Sequence, residues 1–500
     1  MKRSTPSVRP LALALLVVAL AAGAGRADDS EVRTKFEGQL AYKTALDTNW
    51  DPVSRDPWWN DVYAFAAASA AWGANFGARA AGLFEYRLDV GKKAQGLAIP
   101  ELRELYGKVR LGKLDVFFGQ QITSWAATDV FSVIDRLNPY DYSRVLDSEL
   151  PYARLGTPMI RPVLYLDPVQ LEAAYLPLFT PSRFNIVGND WALVGRNFPL
   201  GYLFHDMATS QSWQRELKLI DQWVPQWQNT LQVLLNDPGY YADHTQLPDQ
   251  NLLAPQAAAR VKFTSSAIDV SAAYYYIWDD LPTLHLNPLL SALQRETLAA
   301  GPNSLPPFSP SLLTSSAATA PFELTYHRLQ TAGLGLSSSV YNIGLRADGG
   351  VDIGRWHYRT DFTAAQRTQA RWSFNADYTF AHDVFFEAVL LQAFLFDRDP
   401  SFLERAWTNV PGFALRAPFL AGKFQWESIV LVDLSYMRDR DWRHGQIFHS
   451  GWVVGPMLTY SITDPLRVSV GANLLGGANY TLIGQMSGNS RVFTEVRWGF

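Results

Sequence analysis

Arg371-Trp-Ser-Phe-Asn-Ala-Asp-Tyr-Thr379 is the stretch of sequence that decides the fold. Apolar and polar side chains alternate along it, so an extended chain would carry an apolar face and a charged face. This two-residue period predicts a β-strand with different surroundings on its two faces. The same period recurs in 78–90, 341–352, 466–474 and 492–500.

Both a soluble β-sandwich and a membrane β-barrel have strands that alternate in this way. Strand length and the positions of aromatic residues distinguish the two folds. The alternating segments run to about 9–13 residues, close to what a tilted strand needs to cross a bilayer. Aromatic side chains lie near the predicted strand ends, at Trp356, Trp372, Tyr378, Trp498 and Phe500. Aromatic girdles of this kind mark the two membrane interfaces. We therefore predict an all-β fold, a transmembrane antiparallel β-barrel of roughly 14–18 strands.

The N-terminus predicts export. Lys2, Arg3 and Arg9 flank an apolar run at 11–22, and small residues follow at 22–27, which is the pattern of a secretory signal peptide. We assign 1–27 to the signal peptide and 28–500 to the barrel. The terminal Phe500 resembles the final aromatic residue of bacterial outer-membrane barrels, which serves as an assembly signal. This resemblance implies the outer membrane of a Gram-negative bacterium.

Composition excludes several classes of function. The chain has no cysteine, which rules out disulfides and thiolate metal sites. Removing 1–27 takes away four basic residues and no acidic ones, so the net charge moves from −4 to −8 and argues against nucleic acid. Gly-x-Ser-x-Gly, His-Glu-x-x-His and phosphate-binding loop motifs are missing. We expect no enzyme activity, no metal and no cofactor.

The lengths of the connections predict the orientation, because outer-membrane barrels keep their periplasmic turns short and their extracellular loops long. Segments 179–254 and 279–322 are the long loops. Apolar residues recur at spacings of three and four in 213–236, which predicts an amphipathic helix, and 288–299 predicts a shorter one.

Segment 119–158 breaks the alternation and is rich in charged and aromatic side chains. We expect this insert to fold into the lumen and narrow it; the alternative is an extracellular loop without contact to solute. Aromatic rings beside charged groups would suit sugars or other amphipathic solutes. The candidate constriction residues are Trp125, Asp129, Asp135, Arg136, Asn138, Tyr140, Asp141 and Arg144.

Charged residues on the polar face of the strands are the candidates for the lumen wall. Inward charges are costly unless they are hydrated or paired, so their presence indicates water or an inserted segment inside. Both signs are mixed, which argues against a ring selective for one ion charge. The wall candidates are Glu85, Arg87, Lys108, Arg110, Arg346, Arg371, Asp377, Arg467 and Arg497.

Three motifs carry a family resemblance: Tyr106-Gly-Lys-Val-Arg-Leu-Gly112, Phe117-Phe-Gly-Gln-Gln121 followed by Trp125, and Asn138-Pro-x-Asp141. They resemble an uncharacterised bacterial family of outer-membrane barrels, a domain of unknown function with Gly-Arg-Gln, Trp-Gly and Asn-Pro-x-Asp in that order. Gln120 replaces the arginine here and Ala126 replaces the glycine. The alginate-export porins are a looser comparison that shares only the barrel and the polar lumen.

These patterns lead us to expect an outer-membrane channel or transporter for a solute. Two alternatives stay open: the outer-membrane component of a polysaccharide or lipid export system, and a closed structural or adhesive barrel. The expected partners are the lipid bilayer, the outer-membrane assembly machinery and an unknown solute or polymer. Periplasmic partners are compatible with either transport role.

Overall fold

A computed structural model gives the structure of most of the barrel. It describes residues 32–48, 58–89, 95–128, 132–143, 153–187, 191–192, 241, 243–249, 255–286, 322–361, 363–435, 450–478, 481 and 483–500. The signal peptide at 1–27, the helices expected at 213–236 and 288–299, and the candidates Asp129 and Arg144 lie outside these residues.

The described residues form strands almost throughout. Their bounds are β1 Val32–Asp47, β2 Trp58–Trp72, β3 Phe76–Asp89, β4 Gln95–Leu111, β5 Leu114–Gln121, β6 Thr157–Tyr165, β7 Val169–Leu176, β8 Thr245–Gln246, β9 Gln256–Thr264, β10 Ile268–Trp278, β11 Thr283–Leu286, β12 Phe322–Thr325, β13 Arg328–Val340, β14 Ile343–Tyr358, β15 Ala364–Thr379, β16 Phe385–Leu395, β17 Trp407–Phe419, β18 Phe424–Asp433, β19 Gly451–Ser461, β20 Leu466–Gly476 and β21 Arg491–Gly499. Short 3₁₀ turns occur at Ala381–Asp383 and Gly484–Asn489.

Eighteen of these strands form one antiparallel sheet, and β8, β11 and β12 form a separate small sheet. Each barrel strand pairs with the next barrel strand along the chain, and β1 also pairs with β21, so the sheet is closed. The predicted fold class is confirmed, with a strand number at the upper end of the expected range. Within the described residues, no helix is long and apolar enough to cross a membrane.

The closure involves the last residue. Gly38 N donates to Phe500 O at 2.9 Å, and Phe500 N donates to Gly38 O at 3.0 Å. A Cβ added at Gly38 would lie 2.2 Å from Cζ of Phe500, so the aromatic ring lies directly on this glycine. A larger residue at position 38 would displace the ring.

The two faces of the strands differ as the alternation predicts. In β15, Phe374 is exposed on the outside, whereas its neighbours Ser373 and Asn375 face inward and are buried. An apolar outer face and a polar inner face are what a barrel in a lipid bilayer requires. Trp356 is an exception to the expected girdle. Its ring stacks on that of His327, with the centroids 4.4 Å apart. His327 lies in the connection between β10 and β13, so Trp356 packs against this connection.

Short turns lie at one end of the barrel and long connections at the other. Residues 73–75, 112–113 and 341–342 each join neighbouring strands within two or three residues. The long connections, including the one that carries β11 and β12, all lie at the opposite end. By the rule for outer-membrane barrels, the first end is periplasmic and the second extracellular.

Candidate functional site

The described part of the connection between β5 and β6 folds into the barrel interior. We call its described residues 122–128 and 132–143 the inner segment. Its side chains and backbone contact inward-facing residues of β3, β7, β10, β13, β14 and β15. The barrel strands from β7 to β15 are the anchoring wall, and β16 to β21 are the far wall.

Trp125 fixes the start of the inner segment. Its indole Nε1 donates to Glu172 Oε1 at 2.8 Å, and its ring lies 5.4 Å from that of Tyr275. Arg161 and Arg260 each donate to Glu172 as well, at 2.6 Å. Apolar residues of the inner segment, of β6 and of the anchoring wall complete a buried cluster here: Leu137, Met159, Ala174, Leu176, Ala258, Ala273, Ile277 and Leu329.

Asp348 of β14 binds the next turn of the inner segment. The backbone amide of Ala127 donates to Oδ1 at 2.9 Å, and Thr128 Oγ1 donates to Oδ2 at 2.5 Å. Thr128 Oγ1 also lies 3.1 Å from Ser373 Oγ. Because the carboxylate accepts hydrogen bonds from the segment itself, its burial does not leave it unsatisfied.

Asp352, also on β14, collects three arginines. Arg136 of the inner segment and Arg371 of the wall each place Nη2 at 2.8 Å from Oδ2, and Arg355 places Nη1 at 3.3 Å. Thr331 Oγ1 donates to Oδ1 at 2.7 Å. The carboxylate side chain is 0% exposed. Such a site depends on the full set of partners, because an unpaired buried charge is costly.

Ile134 gives the inner segment an apolar contact beside these charges. A Cβ added at Gly333 would lie 2.7 Å from Ile134 Cγ2, and one added at Gly350 would lie 3.1 Å away. The isoleucine therefore fills the space that side chains at these two wall positions would occupy. Arg371 Nη2 also donates to the backbone oxygen of Val133, at 2.9 Å.

Asn138, from the Asn-Pro-x-Asp motif, joins the two ends of the insert. Its Nδ2 donates to Gln121 O at 2.8 Å and to Leu155 O at 2.9 Å, while its Oδ1 accepts from Thr123 N at 2.8 Å. The side chain is buried. Asparagine suits this position because one amide offers both donors and an acceptor.

Asp135 and Asp141 form ion pairs next to this junction. Asp135 pairs with Arg154 of the same insert. Asp141 pairs with Arg183 at 2.6 Å and also lies 4.0 Å from Arg87 of β3. Burial raises the pKa of Asp135 despite the charge of Arg154. Burial also acts to raise the pKa of Asp141, but Arg183 and hydrogen bonds from Ser143 outweigh it, so that pKa lies below its ordinary value.

Tyr140 lies at the edge of the same cluster and is partly exposed. Its ring is 5.8 Å from that of Tyr142, and the guanidinium of Arg154 is 5.6 Å from its centroid. Burial raises the pKa of Tyr140 to about 12, so the phenol stays neutral at physiological pH. A neutral ring beside charged groups is a surface on which an amphipathic solute can bind.

The wall candidates all occupy inward register positions, and eight of the nine have a named counterion. The pairs are Arg87 with Glu85 at 2.5 Å, Lys108 and Arg110 with Asp115 at 2.8 and 2.6 Å, Arg346 with Asp377 at 3.0 Å, Arg371 with Asp352 at 2.8 Å, and Arg497 with Glu495 at 2.5 Å. Arg467 is exposed and stands directly opposite Arg497 in the pairing of β20 with β21.

Sequence reasoning missed several residues that hold the inner segment. Glu172, Asp352, Arg154, Arg183 and Tyr275 were not among the candidates. The two carboxylates could have been selected from alternation alone, because both occupy inward positions of strands. Arg154 and Arg183 lie in connections without alternation, and the sequence carries no signal that pairs them with the inner segment.

The far wall has a different inner surface towards its extracellular end. Val410, Leu431, Val453 and Leu475 form a buried apolar cluster there. Ile483 and Met486, from the connection between β20 and β21, pack against it.

Near the periplasmic end, a cavity of about 400 Å³ lies against β10 and β13–β15, lined by Asp269, Ser337, Ser339, Gly344, Arg346 and Asp377, together with turn residues. In the described part of the chain, no group of His, Asp and Glu residues could hold a metal ion.

No protein-family model and no curated protein matches this chain. Solved structures do resemble it. OccK8 (OprE) of Pseudomonas aeruginosa is 10% identical over 94% of this chain and 98% of its own, with a TM-score of 0.47. OccAB1 of Acinetobacter baumannii is 8% identical over 94% and 96%, with a TM-score of 0.46. A BenF-like porin of Pseudomonas fluorescens Pf-5 is 9% identical over 94% and 98%, with a TM-score of 0.45.

The fold is that of an outer-membrane β-barrel. This follows from the closed antiparallel sheet, the apolar outer face and the charged inner face of the chain itself.

Proposed function

We propose that this protein is a channel that passes a solute across the Gram-negative outer membrane, with the inner segment as the constriction of its lumen. The observation that carries the proposal is the anchoring of that segment inside the barrel. Trp125, Thr128 and Arg136 each bind a carboxylate on an inward-facing wall position.

The distribution of charge supports passage of water and polar solute. Ionisable side chains occur along much of the inner face, and several remain partly exposed to the interior, including Arg346, Arg416 and Arg467. A dry, closed core would leave such groups desolvated at high cost. A barrel with a hydrated path beside the inner segment accommodates them without that cost.

The anchoring also supports a fixed constriction. The inner segment is held by hydrogen bonds, by ion pairs, by the apolar cluster around Trp125 and by the contact of Ile134 with two glycines. A segment with so many independent contacts keeps its position in the lumen. The solute would then pass between this segment and the far wall.

The motif resemblance supports assignment to the uncharacterised outer-membrane family, because two motif residues hold the insert in place. Trp125 donates a hydrogen bond to the barrel wall, and Asn138 donates one to the end of β5. Gln120, which stands where the family motif has arginine, is compatible with this placement because its Nε2 donates a hydrogen bond to the backbone oxygen of Leu102 in β4. The looser likeness to alginate-export porins names no substrate for this chain.

Reconstitution of the purified protein tests the proposal. We expect discrete single-channel conductance in planar bilayers and swelling of liposomes in sugars below a size limit. A reconstituted, heat-modifiable barrel without conductance would instead indicate a closed structural or adhesive role. If a deletion strain lost surface polysaccharide or lipid while solute uptake stayed normal, the export alternative would replace the channel.

A further inference from the structure

Arg328 stands out on the outer face of the barrel. It is the first residue of β13, at the extracellular end, and it lies opposite Trp278 in the pairing with β10. Gln330 lies opposite Tyr276 in the same register, and Tyr276 is 44% exposed on the outside. Register therefore places Arg328 on the outward face, at the level of the aromatic residues that end β10.

This outward position is exceptional within the barrel. Every other lysine and arginine in the eighteen barrel strands occupies a register position that faces inward. A charged side chain on the lipid face is tolerated only near an interface. Among these strands, Arg328 is therefore the one cation on the outer face, and it lies where the strand leaves the membrane.

The side chain is held in a defined orientation. Its guanidinium carbon lies 4.1 Å from the ring centroid of Trp278 and 4.9 Å from that of Tyr276. Nη1 donates to the backbone oxygen of Pro255 at 2.8 Å. Contacts with two aromatic rings favour a fixed guanidinium over a mobile one. Further along the same two strands on the outer face, Tyr274 OH donates to Gln330 Oε1 at 2.6 Å.

We propose that Arg328 and the rings of Tyr276 and Trp278 bind a phosphate of an outer-leaflet glycolipid. The proposal rests on the outer-membrane insertion proposed above. Charge complementarity identifies the occupant, because the outer leaflet of this membrane carries phosphorylated lipid headgroups and a guanidinium is well suited to pair with phosphate. The aromatic rings contact the adjoining sugar and acyl region.

The test uses the full-length purified barrel and native mass spectrometry of bound lipid. Wild-type protein is titrated with bisphosphorylated lipid A and with the same lipid after dephosphorylation. We expect a preference for the phosphorylated form that falls roughly fivefold in Arg328→Gln, the equivalent of about 1 kcal/mol for one basic residue at a charged surface. Arg328→Lys should lie between the two, because it keeps the charge and loses the planar donor pair.

Arg467→Gln is the matched control, since it removes the same charge from the inner face of β20. It should keep the wild-type preference. Equal binding of both lipids to wild-type protein, or an unchanged preference in Arg328→Gln, would overturn the proposal. Conductance in planar bilayers separates this result from the channel proposal, because Arg328 faces away from the lumen and its loss should leave conductance unchanged.

Discussion

Asp352 on the anchoring wall has no exposed side-chain surface, whereas the pair of Arg416 with Glu427 on the far wall leaves 57% and 28% of the two side chains exposed. Both sites pair charges on the inner face of neighbouring strands, but only the first has a segment folded over it. At Asp352 the inner segment covers the carboxylate and supplies Arg136 as one of its partners. The Arg416–Glu427 pair is neutralised between two adjacent strands and stays partly exposed.

Removal of the inner segment should have the largest effect. Replacing 126–142 by a Gly-Ser sequence of equal length retains chain length and removes the anchors formed by Thr128, Ile134 and Arg136. We expect a severalfold rise in single-channel conductance and a higher size limit for sugars, with a barrel that still assembles. Unchanged conductance and uptake would mean that the segment does not limit the lumen.

Loss of one buried charge should come next. Asp352→Asn leaves Arg136, Arg355 and Arg371 without their shared carboxylate. We expect the free energy of unfolding to fall by about 3–5 kcal/mol, the usual cost of removing one partner from a buried ion pair. Denaturant unfolding in lipid vesicles measures this, and reversal potentials should shift towards anions. A cost below about 1 kcal/mol, typical of exposed pairs, would show that the site is hydrated.

A charge on the lipid face should cost the same on both walls. Leu334→Lys lies outside the anchoring wall and Val470→Lys outside the far wall, and both wild-type side chains are exposed near mid-strand. We expect each to lower the free energy of unfolding by about 2–4 kcal/mol if it lies at the membrane midplane. Ser339→Lys, which points into the periplasmic cavity, is the tolerated control. A large difference between the two walls would mean that the inner segment also supports the outer face.

Disruption of a far-wall pair should have the smallest effect. Glu427→Gln leaves Arg416 partly exposed and hydrated. We expect a change of about 0–1 kcal/mol in the free energy of unfolding, as for exposed ion pairs elsewhere, and less in high salt. The comparison of the two walls fails if Glu427→Gln proves as costly as Asp352→Asn.

Alternation was sufficient to predict the barrel and its faces, because a strand with a two-residue period has its faces fixed once one face is known. Phe374 and Asn375 show this directly. The partners of the inner segment were not predictable in the same way. Thr128 binds Asp348, 220 residues away in the chain, and no local pattern encodes such a pairing. Asp135 shows the same limit, since its arginine is Arg154 of the insert and not a residue of the wall.

The hydrogen bonds between Gly38 and Phe500 also bear on the order in which the molecule assembles. They join the first and last strands, so β1 cannot complete its pairing until β21 has been made and delivered. Until then both ends of the sheet present unpaired backbone groups, which favour aggregation, and contacts this distant in sequence form slowly. The contact of the Phe500 ring with Gly38 therefore influences the rate at which the sheet closes as well as the stability of the closed barrel.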